Sequence, residues 1–278
     1  MRASAAACAF LVTGSLLCAT AAAAPAESER LFQEGLAALE RGAHDDAIDR
    51  FELMADRGFS HPDASYNRAL AYSARAQSSS PRPGDLGRAA AALAEAVELA
   101  PQDSEAEKAL LSVRQEIARK RARSGDEPVR ARPALTRAVL DLLPENGWAV
   151  LSIAGSVLLS FGLALRLFAA GRRPRLAGSV TGGIGAAVLL SCGCAGFLAT
   201  RMHAASRPAV VVVAEARLLD DSGRPQQAKD GAPTAIPEGE TVYVHEQAGE
   251  LNRVEWGSVE GYVSTGQLRF LAQEVRLP

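Results

Sequence analysis

The chain has 278 residues, enough for about two domains. Its hydrophobic fraction of 48% and its net charge of −2 are ordinary, but charge is segregated along the chain. Residues 27–127 contain 14 basic and 19 acidic side chains. Residues 128–207 contain nine basic and two acidic side chains, and residues 208–278 contain six basic and 11 acidic ones. Two acidic parts therefore flank a basic, apolar middle, which argues against nucleic acid as a partner because neither part has the strongly basic face required.

The first 24 residues have the composition of a secretory signal peptide. Arg2 precedes apolar stretches at 10–12 and 16–17, and alanines follow up to Ala24. A short positive start, an apolar core and small residues before the cleavage point are typical of such signals. We therefore expect residues 1–24 to direct export, with an uncleaved anchor helix as the alternative.

Residues 27–123 show the periodicity of amphipathic helices and predict two helix pairs. The pairs resemble the tetratricopeptide repeat, a helix–turn–helix unit of 34 residues. The matching small, turn and aromatic positions are Gly35, Gly42, Ala47 and Phe51 in the first unit and Ala69, Tyr72, Gly84, Ala89, Ala96 and Pro101 in the second. Residues 77–83 (QSSSPRP) are a predicted flexible surface insertion. A capping helix is expected over 104–123, with Ser104 as its N-cap.

Repeats of this class bind peptides on their concave face and carry no catalytic constellation. Asn67 occupies the helix position at which peptide-binding members often place an asparagine that hydrogen-bonds a ligand backbone. Lys108, on the next inner helix, is placed to meet a carboxylate. Both are candidate partner-binding residues, and the alternative is that both are solvated helix residues.

Residues 148–168 and 176–200 are long and apolar enough to be two transmembrane helices within a segment spanning 147–200. A basic linker, residues 124–146, precedes them, and its arginines either lie against anionic headgroups or are solvated. The connection 169–175 contains Arg172, Arg173 and Arg175, which predicts a cytoplasmic turn. An export signal then places both soluble parts outside; the alternative topology places both in the cytosol. Small residues on both helices predict close packing, within the hairpin or against a partner.

Residues 208–278 change to short β-branched segments punctuated by Gly and Pro, typical of a small all-β barrel. Strands are predicted at 209–214, 241–244, 251–256 and 261–263, with an irregular loop at 220–233. The order resembles the bacterial Src-homology-3-like domain, with Gly261-Tyr262-Val263 as its closing motif. Tyr243, Trp256 and Tyr262 are candidate groove aromatics for a protein or cell-wall ligand, unless they simply pack the barrel.

The order of these parts, together with the run Gly84-Asp85-Leu86-Gly87-Arg88-Ala89, resembles the BatE proteins of bacterial aerotolerance operons. The resemblance implies association with membrane-anchored von Willebrand A-type proteins and a link to oxidative-stress tolerance.

The sequence thus predicts a multidomain membrane protein with an all-α tetratricopeptide domain, a two-helix transmembrane hairpin and an all-β Src-homology-3-like barrel. We expect it in the bacterial inner membrane with both soluble domains in the periplasm. The leading hypothesis is a non-enzymatic scaffold for protein partners; the alternative is a cell-envelope sensor or peptidoglycan-binding protein. No Ser/His/Asp set, zinc spacing or phosphate loop is present in the sequence, so no catalytic residue, metal or cofactor is expected.

Overall fold

A computed structural model of the chain describes residues 26–125, 135–140, 142–143, 145–227 and 234–271. The predicted signal segment, residues 1–24, lies outside the described residues. The protein is mostly helical with a small antiparallel sheet. The helices are α1 (26–40), α2 (His44–Asp56), α3 (Pro62–Gln77), α4 (Asp85–Leu99), α5 (Ser104–Ser124), α6 (Leu135–Leu140), α7 (Glu145–Phe168) and α8 (Arg172–Ala205).

The strands follow α8 without a long connection. They are β1 (Arg207–Val211), β2 (Glu215–Arg217), β3 (Ala235–Pro237), β4 (Thr241–Ala248), β5 (Leu251–Trp256), β6 (Val259–Ser264) and β7 (Leu268–Phe270), with a 3-10 turn at Thr265–Gln267. We call residues 26–125 the helical domain and residues 206–271 the β-domain.

Neighbouring helices of the helical domain pack in antiparallel pairs. Gly35 of α1 lies under the Phe51 ring of α2, where a Cβ would come within 2.7 Å of the ring. Phe32 meets the edge of the same ring with centroids 6.2 Å apart. The small residue at this position therefore lets the first two helices approach closely.

Two buried ion pairs join α3 to α4. Arg68 donates to Glu95 (2.9 Å), and Arg75 donates to Asp85 through two nitrogens (2.6 and 3.1 Å). All four side chains are buried. Asp85 also accepts from the backbone N–H of Arg82 (2.8 Å), so the exposed loop that follows α3 is tied to the start of α4. Because a buried charge is costly unless it is paired, these contacts specify how the two helices face each other.

The capping helix α5 begins one residue away from the expected cap. Asp103, not Ser104, is the N-cap, and its carboxylate accepts from the backbone N–H of Glu105 (2.8 Å). Asp and Ser are equally favourable at the N-cap, so the local sequence does not show which of these two neighbouring residues caps the helix. Gly125 ends the helix in the left-handed conformation that glycine tolerates (φ 84°).

The helices α7 and α8 form an antiparallel hairpin, and each is long and apolar enough to span a membrane. Only 11% and 17% of their most apolar stretches are buried in the protein, unlike core helices of a soluble domain. The glycines bring the two backbones into contact: a Cβ at Gly162 would overlap Gly182, and one at Gly185 would overlap the backbone of Leu159. Ser156 and Ser160, by contrast, are exposed and lie outside this contact.

The turn of the hairpin is shorter than the sequence suggests. Residues 169–171 connect the helices, while Arg172, Arg173 and Arg175 belong to the first turn of α8. Arg175 donates back to the carbonyl of Ala169 (3.1 Å). At 34 residues, α8 is about 51 Å long, so its charged ends extend past a hydrocarbon core of about 30 Å.

The β-domain contains a five-stranded antiparallel sheet in the order β6-β5-β4-β1-β7, with β2 and β3 paired separately. The isolated bridge between Leu219 and Tyr262 connects the segment after β2 to β6. Alternate residues of β4, β5 and β6 enclose a core of Val242, Val244, Val254, Trp256 and Val263.

Strand β1, which lies between β4 and β7 in the sheet, is buried on both faces at residues 209–211. Ala209 and Val211 face the core of the β-domain, whereas Val210 and Val212 join the core of the helical domain. Helix α4 packs on this strand through Gly87, where a Cβ would lie 2.9 Å from Val212 Cα. The helical domain and the β-domain therefore share a packed interface rather than being joined only through the hairpin.

Polar contacts surround this interface. They are the backbone N–H of Gly87 to Glu238 (2.7 Å), Arg114 to Thr241 (2.9 Å), Arg121 to Glu215 (3.4 Å) and Arg269 to Glu52 (2.6 Å). The Glu238 contact caps the first turn of α4, where a negative charge is favoured.

Replacing Gly84 by alanine is expected to weaken the docking of the β-domain. Gly84 has φ 82°, and a Cβ there would overlap the carbonyl oxygen of Val212. Gly58 is the matched control, because it has φ 76° but open space around it. We expect Gly58→Ala to cost about 1–2 kcal/mol because alanine is strained in the left-handed conformation, and Gly84→Ala about 1–3 kcal/mol more for overlap.

The measurement is hydrogen exchange of residues 84–93 and 207–212 together with thermal unfolding, in purified full-length protein. Faster exchange at both segments in Gly84→Ala alone is expected. Equal effects of the two substitutions would contradict the close approach of α4 and β1.

Candidate functional site

An open groove of about 540 Å³ lies on the α1 and α3 side of the helical domain. The β-domain packs instead on α4 and α5, so it leaves this groove uncovered. The groove is lined by Leu36, Leu39, Glu40, His44, Asn67, Leu70, Ser73, Ala74 and Gln77.

Most of one wall is a single stripe of α3. Asn67, Leu70, Ala74 and Gln77 are spaced by three or four residues, so they share one helix face. Leu70 is 42% exposed. This leucine lies in the groove and not in the core.

The two groove residues predicted from the repeat pattern have different positions. Asn67 lines the groove, and its amide nitrogen donates to the carbonyl of Asp63 one turn earlier (2.8 Å). Lys108 is exposed on α5 and does not line the groove. The structure thus brings Asn67, but not Lys108, to the apolar floor formed by Leu36, Leu39 and Leu70.

Charge in the groove is sparse. Glu40 is the one ionised side chain in its lining, and no lysine or arginine lines it within the described part of the chain. The Nδ1 atom of His44 is buried there and has no hydrogen-bond partner among the described residues. The groove therefore offers apolar contacts with a weakly negative edge.

The outer face of the β-domain is covered at one point by the segment before the hairpin. The Arg137 guanidinium of α6 stacks on the Tyr243 ring, with 3.5 Å between its carbon and the ring centroid, and donates to Glu255 (3.0 Å). The Arg137 side chain is only 8% exposed. Of the linker arginines, the described Arg137 therefore packs on the β-domain. We call Arg137, Tyr243, His245 and Glu255 the arginine latch.

His245 also belongs to the latch. Its Nε2 atom lies 3.0 Å from Glu255 Oε2. Burial by itself raises the pKa of Glu255, but hydrogen bonds from Arg137 and His245 outweigh burial and lower that pKa below its ordinary value. Glu255 is therefore ionised at neutral pH and holds two partners from different elements.

The other two predicted aromatics lie apart. Trp256 is 4% exposed and packs in the core of the β-domain with Val254 and Val263. Tyr262 lies on the outer face, where its backbone pairs with Leu219. Strand alternation explains the split, because Trp256 follows the inward positions of β5 while Tyr243 and Tyr262 take outward positions.

Sequence reasoning did not single out the buried arginines or the latch. Arg68 and Arg75 are seven residues apart and therefore lie on one face of α3. Two arginines at this spacing among apolar residues could have indicated a pair of buried arginines. Arg137 and Glu255 are 118 residues apart and carry no such signal. Only the folded chain brings them together.

Comparison of the sequence with models of known protein families and with curated proteins gives no match.

Replacing Glu255 by glutamine is expected to destabilise the protein at neutral pH but not in acid. A carboxyl with a lowered pKa contributes stability above its ordinary pKa, and this stability is lost as pH falls through the lowered value. We expect a loss of about 1–3 kcal/mol at pH 7, as for hydrogen bonds to a charged group. Below that lowered pKa, wild type and variant should converge.

Glu260→Gln is the matched control, since Glu260 pairs with Arg253 on the same outer face but is exposed. Thermal unfolding of each full-length variant across this pH range measures the effect. If Glu255→Gln lowers the stability by the same amount in acid as at neutral pH, the carboxylate charge does not stabilise the arginine latch.

Proposed function

We propose that this protein is a non-enzymatic, membrane-anchored scaffold that binds a protein partner through tetratricopeptide-type repeats. In this proposal both soluble domains face the periplasm, the hairpin anchors them in the inner membrane, and the β-domain is Src-homology-3-like. By the resemblance to BatE proteins, the partners are von Willebrand A-type membrane proteins. The observation that carries the proposal is the open apolar groove of the helical domain.

The spacing of the helices supports the repeat assignment. The first residues of α2 and α4, His44 and Asp85, are 41 residues apart. This is the 34-residue repeat period lengthened by the seven residues 77–83. Residues 78–83 of the insertion form a mostly exposed loop, and α3 and α4 on either side of it still pack against each other.

The strand order supports the assignment of the β-domain. Short antiparallel strands enclose one core, and the 3-10 turn Thr265–Gln267 precedes the last strand. This turn directly follows β6, which carries the closing motif Gly261-Tyr262-Val263 of the resemblance.

The packed interface between the two soluble domains supports a two-span topology. Two domains in direct contact lie on one side of a membrane, and an antiparallel hairpin returns the chain to the side from which it entered. The arginines in the first turn of α8 favour placing the hairpin turn in the cytoplasm.

The alternative, a peptidoglycan-binding sensor, needs aromatic side chains on the β-domain surface. Arg137 covers Tyr243 and Trp256 is buried, which leaves Tyr262 as the remaining candidate of the three. The groove of the helical domain therefore supports binding better than the β-domain does.

The groove is tested by Leu70→Arg with Leu111→Arg as the matched control. Both leucines are exposed helix residues, 42% and 52%, but only Leu70 lines the groove. We expect co-purification of von Willebrand A-type membrane proteins with wild type and Leu111→Arg, and at least about a tenfold loss with Leu70→Arg, because a charge replaces an apolar contact in the floor. Quantitative mass spectrometry of solubilised membranes measures this. Equal recovery of these partner proteins with both variants would show that the groove does not bind them.

Sidedness is tested by cysteine labelling in a background without the four native cysteines. Ser79 and Ser258 are exposed in the helical domain and β-domain, and Gly171 is exposed in the hairpin turn. A membrane-impermeant maleimide applied to intact spheroplasts is expected to label Ser79→Cys and Ser258→Cys but not Gly171→Cys. Labelling of Gly171→Cys alone would place both soluble domains in the cytosol.

A further inference from the structure

A second cavity lies where the helical domain meets the β-domain, apart from the groove. It has a volume of about 190 Å³ and is enclosed by α2, α3 and α4 on one side and by the segment from Gly266 to Arg269 on the other. Three arginines line it, namely Arg68, Arg88 and Arg269, and they share it with Glu52 and Tyr72. The β-domain completes this cavity, so it exists only when the two domains are docked.

The three guanidinium groups have unused donors. Among the described residues, Arg68 donates to Glu95, Arg88 to the carbonyl of Pro83, and Arg269 to Glu52, one hydrogen bond each. A guanidinium carries five N–H donors. Arg68 is 3% exposed, and its buried Nε has no hydrogen-bond acceptor in the described part of the chain, since Glu52 is 3.7 Å away. A buried charged donor without an acceptor favours a ligand that supplies one.

The acceptors in the cavity are already engaged. Glu52 is the only acidic side chain in the described lining, and it accepts from Arg269 (2.6 Å) and from the Tyr72 hydroxyl (3.0 Å). Burial and the neighbouring Glu52 charge raise the pKa of Tyr72, so its hydroxyl remains a donor. Asp56 lies 3.7 Å from Arg269 but is exposed and outside the cavity. The lining is therefore rich in donors and poor in free acceptors.

The size of the cavity limits the ligand. Its volume corresponds to about six water molecules in the liquid, below the range of about 300–1,000 Å³ that holds drug-sized molecules. Arginine forks match the oxygens of phosphate and carboxylate groups. We propose that the cavity binds one small oxyanion, which bridges Arg88 of the helical domain and Arg269 of the β-domain and so strengthens their docking.

Equilibrium dialysis of purified full-length protein against radiolabelled inorganic phosphate tests the site. We expect saturable binding of one phosphate per chain, and hydrogen exchange at residues 207–212 and 266–270 should slow when phosphate is bound. Arg88→Gln should weaken binding about tenfold or more, as expected from loss of one charge-assisted hydrogen bond. Arg88 has no buried ion pair, and its variant is checked by thermal unfolding in chloride buffer.

Arg253→Gln is the control, because Arg253 is an exposed arginine of the β-domain away from the cavity. Competition separates the sources of the ligand: displacement by sulfate but not acetate indicates a tetrahedral anion, and equal displacement by acetate indicates a carboxylate. Absence of saturable binding up to about 10 mM phosphate, or equal affinity in the Arg88→Gln and Arg253→Gln variants, would overturn the proposal.

Discussion

The burial of both faces of β1 is the interaction on which the arrangement of the soluble domains depends. Val210 and Val212 face α4 while Ala209 and Val211 face the sheet core. Burial of a valine side chain contributes roughly 1.5–3 kcal/mol, so the strand stabilises two cores at once. The close approach requires Gly84 and Gly87 on the helix, which accounts for the glycines of the Gly84–Ala89 run by packing.

This docking has consequences for the groove and for the second cavity. Because the β-domain occupies the α4 and α5 side, the α1 and α3 side stays open. The ion pairs Arg68–Glu95 and Arg75–Asp85 hold α3 against α4, and thereby fix the α3 stripe that forms one groove wall. The same Arg68 lines the cavity on the other side of α3. One helix therefore connects the surface proposed for a protein partner with the surface proposed for an anion.

The arginine latch couples the soluble domains to the hairpin. Arg137 lies on the β-domain, while Leu140 at the end of the same short helix accepts a hydrogen bond from Trp148 of α7 (3.1 Å). The β-domain is also joined directly to α8 through Ser206. Both ends of the hairpin are thus held by the packed helical domain and β-domain, which fits the proposed role of a membrane-anchored scaffold.

The sequence by itself determined the local elements. Apolar periodicity located the helices of the helical domain, β-branched runs located four of the strands, and two long apolar stretches, the first with a single charge at Arg166, located the two membrane-length helices. These signals depend on near neighbours in the chain.

Only the tertiary structure decided which surfaces meet. It placed Leu70 in the groove, Trp256 in the core and Arg137 against Tyr243, and it left Lys108 outside the groove. The partner of Arg137, Glu255, lies 118 residues away, and the backbone that Gly84 approaches at Val212 is similarly distant in the sequence. Local pattern records which residues are apolar or charged, but the free energy of burial and pairing depends on what each residue finally contacts.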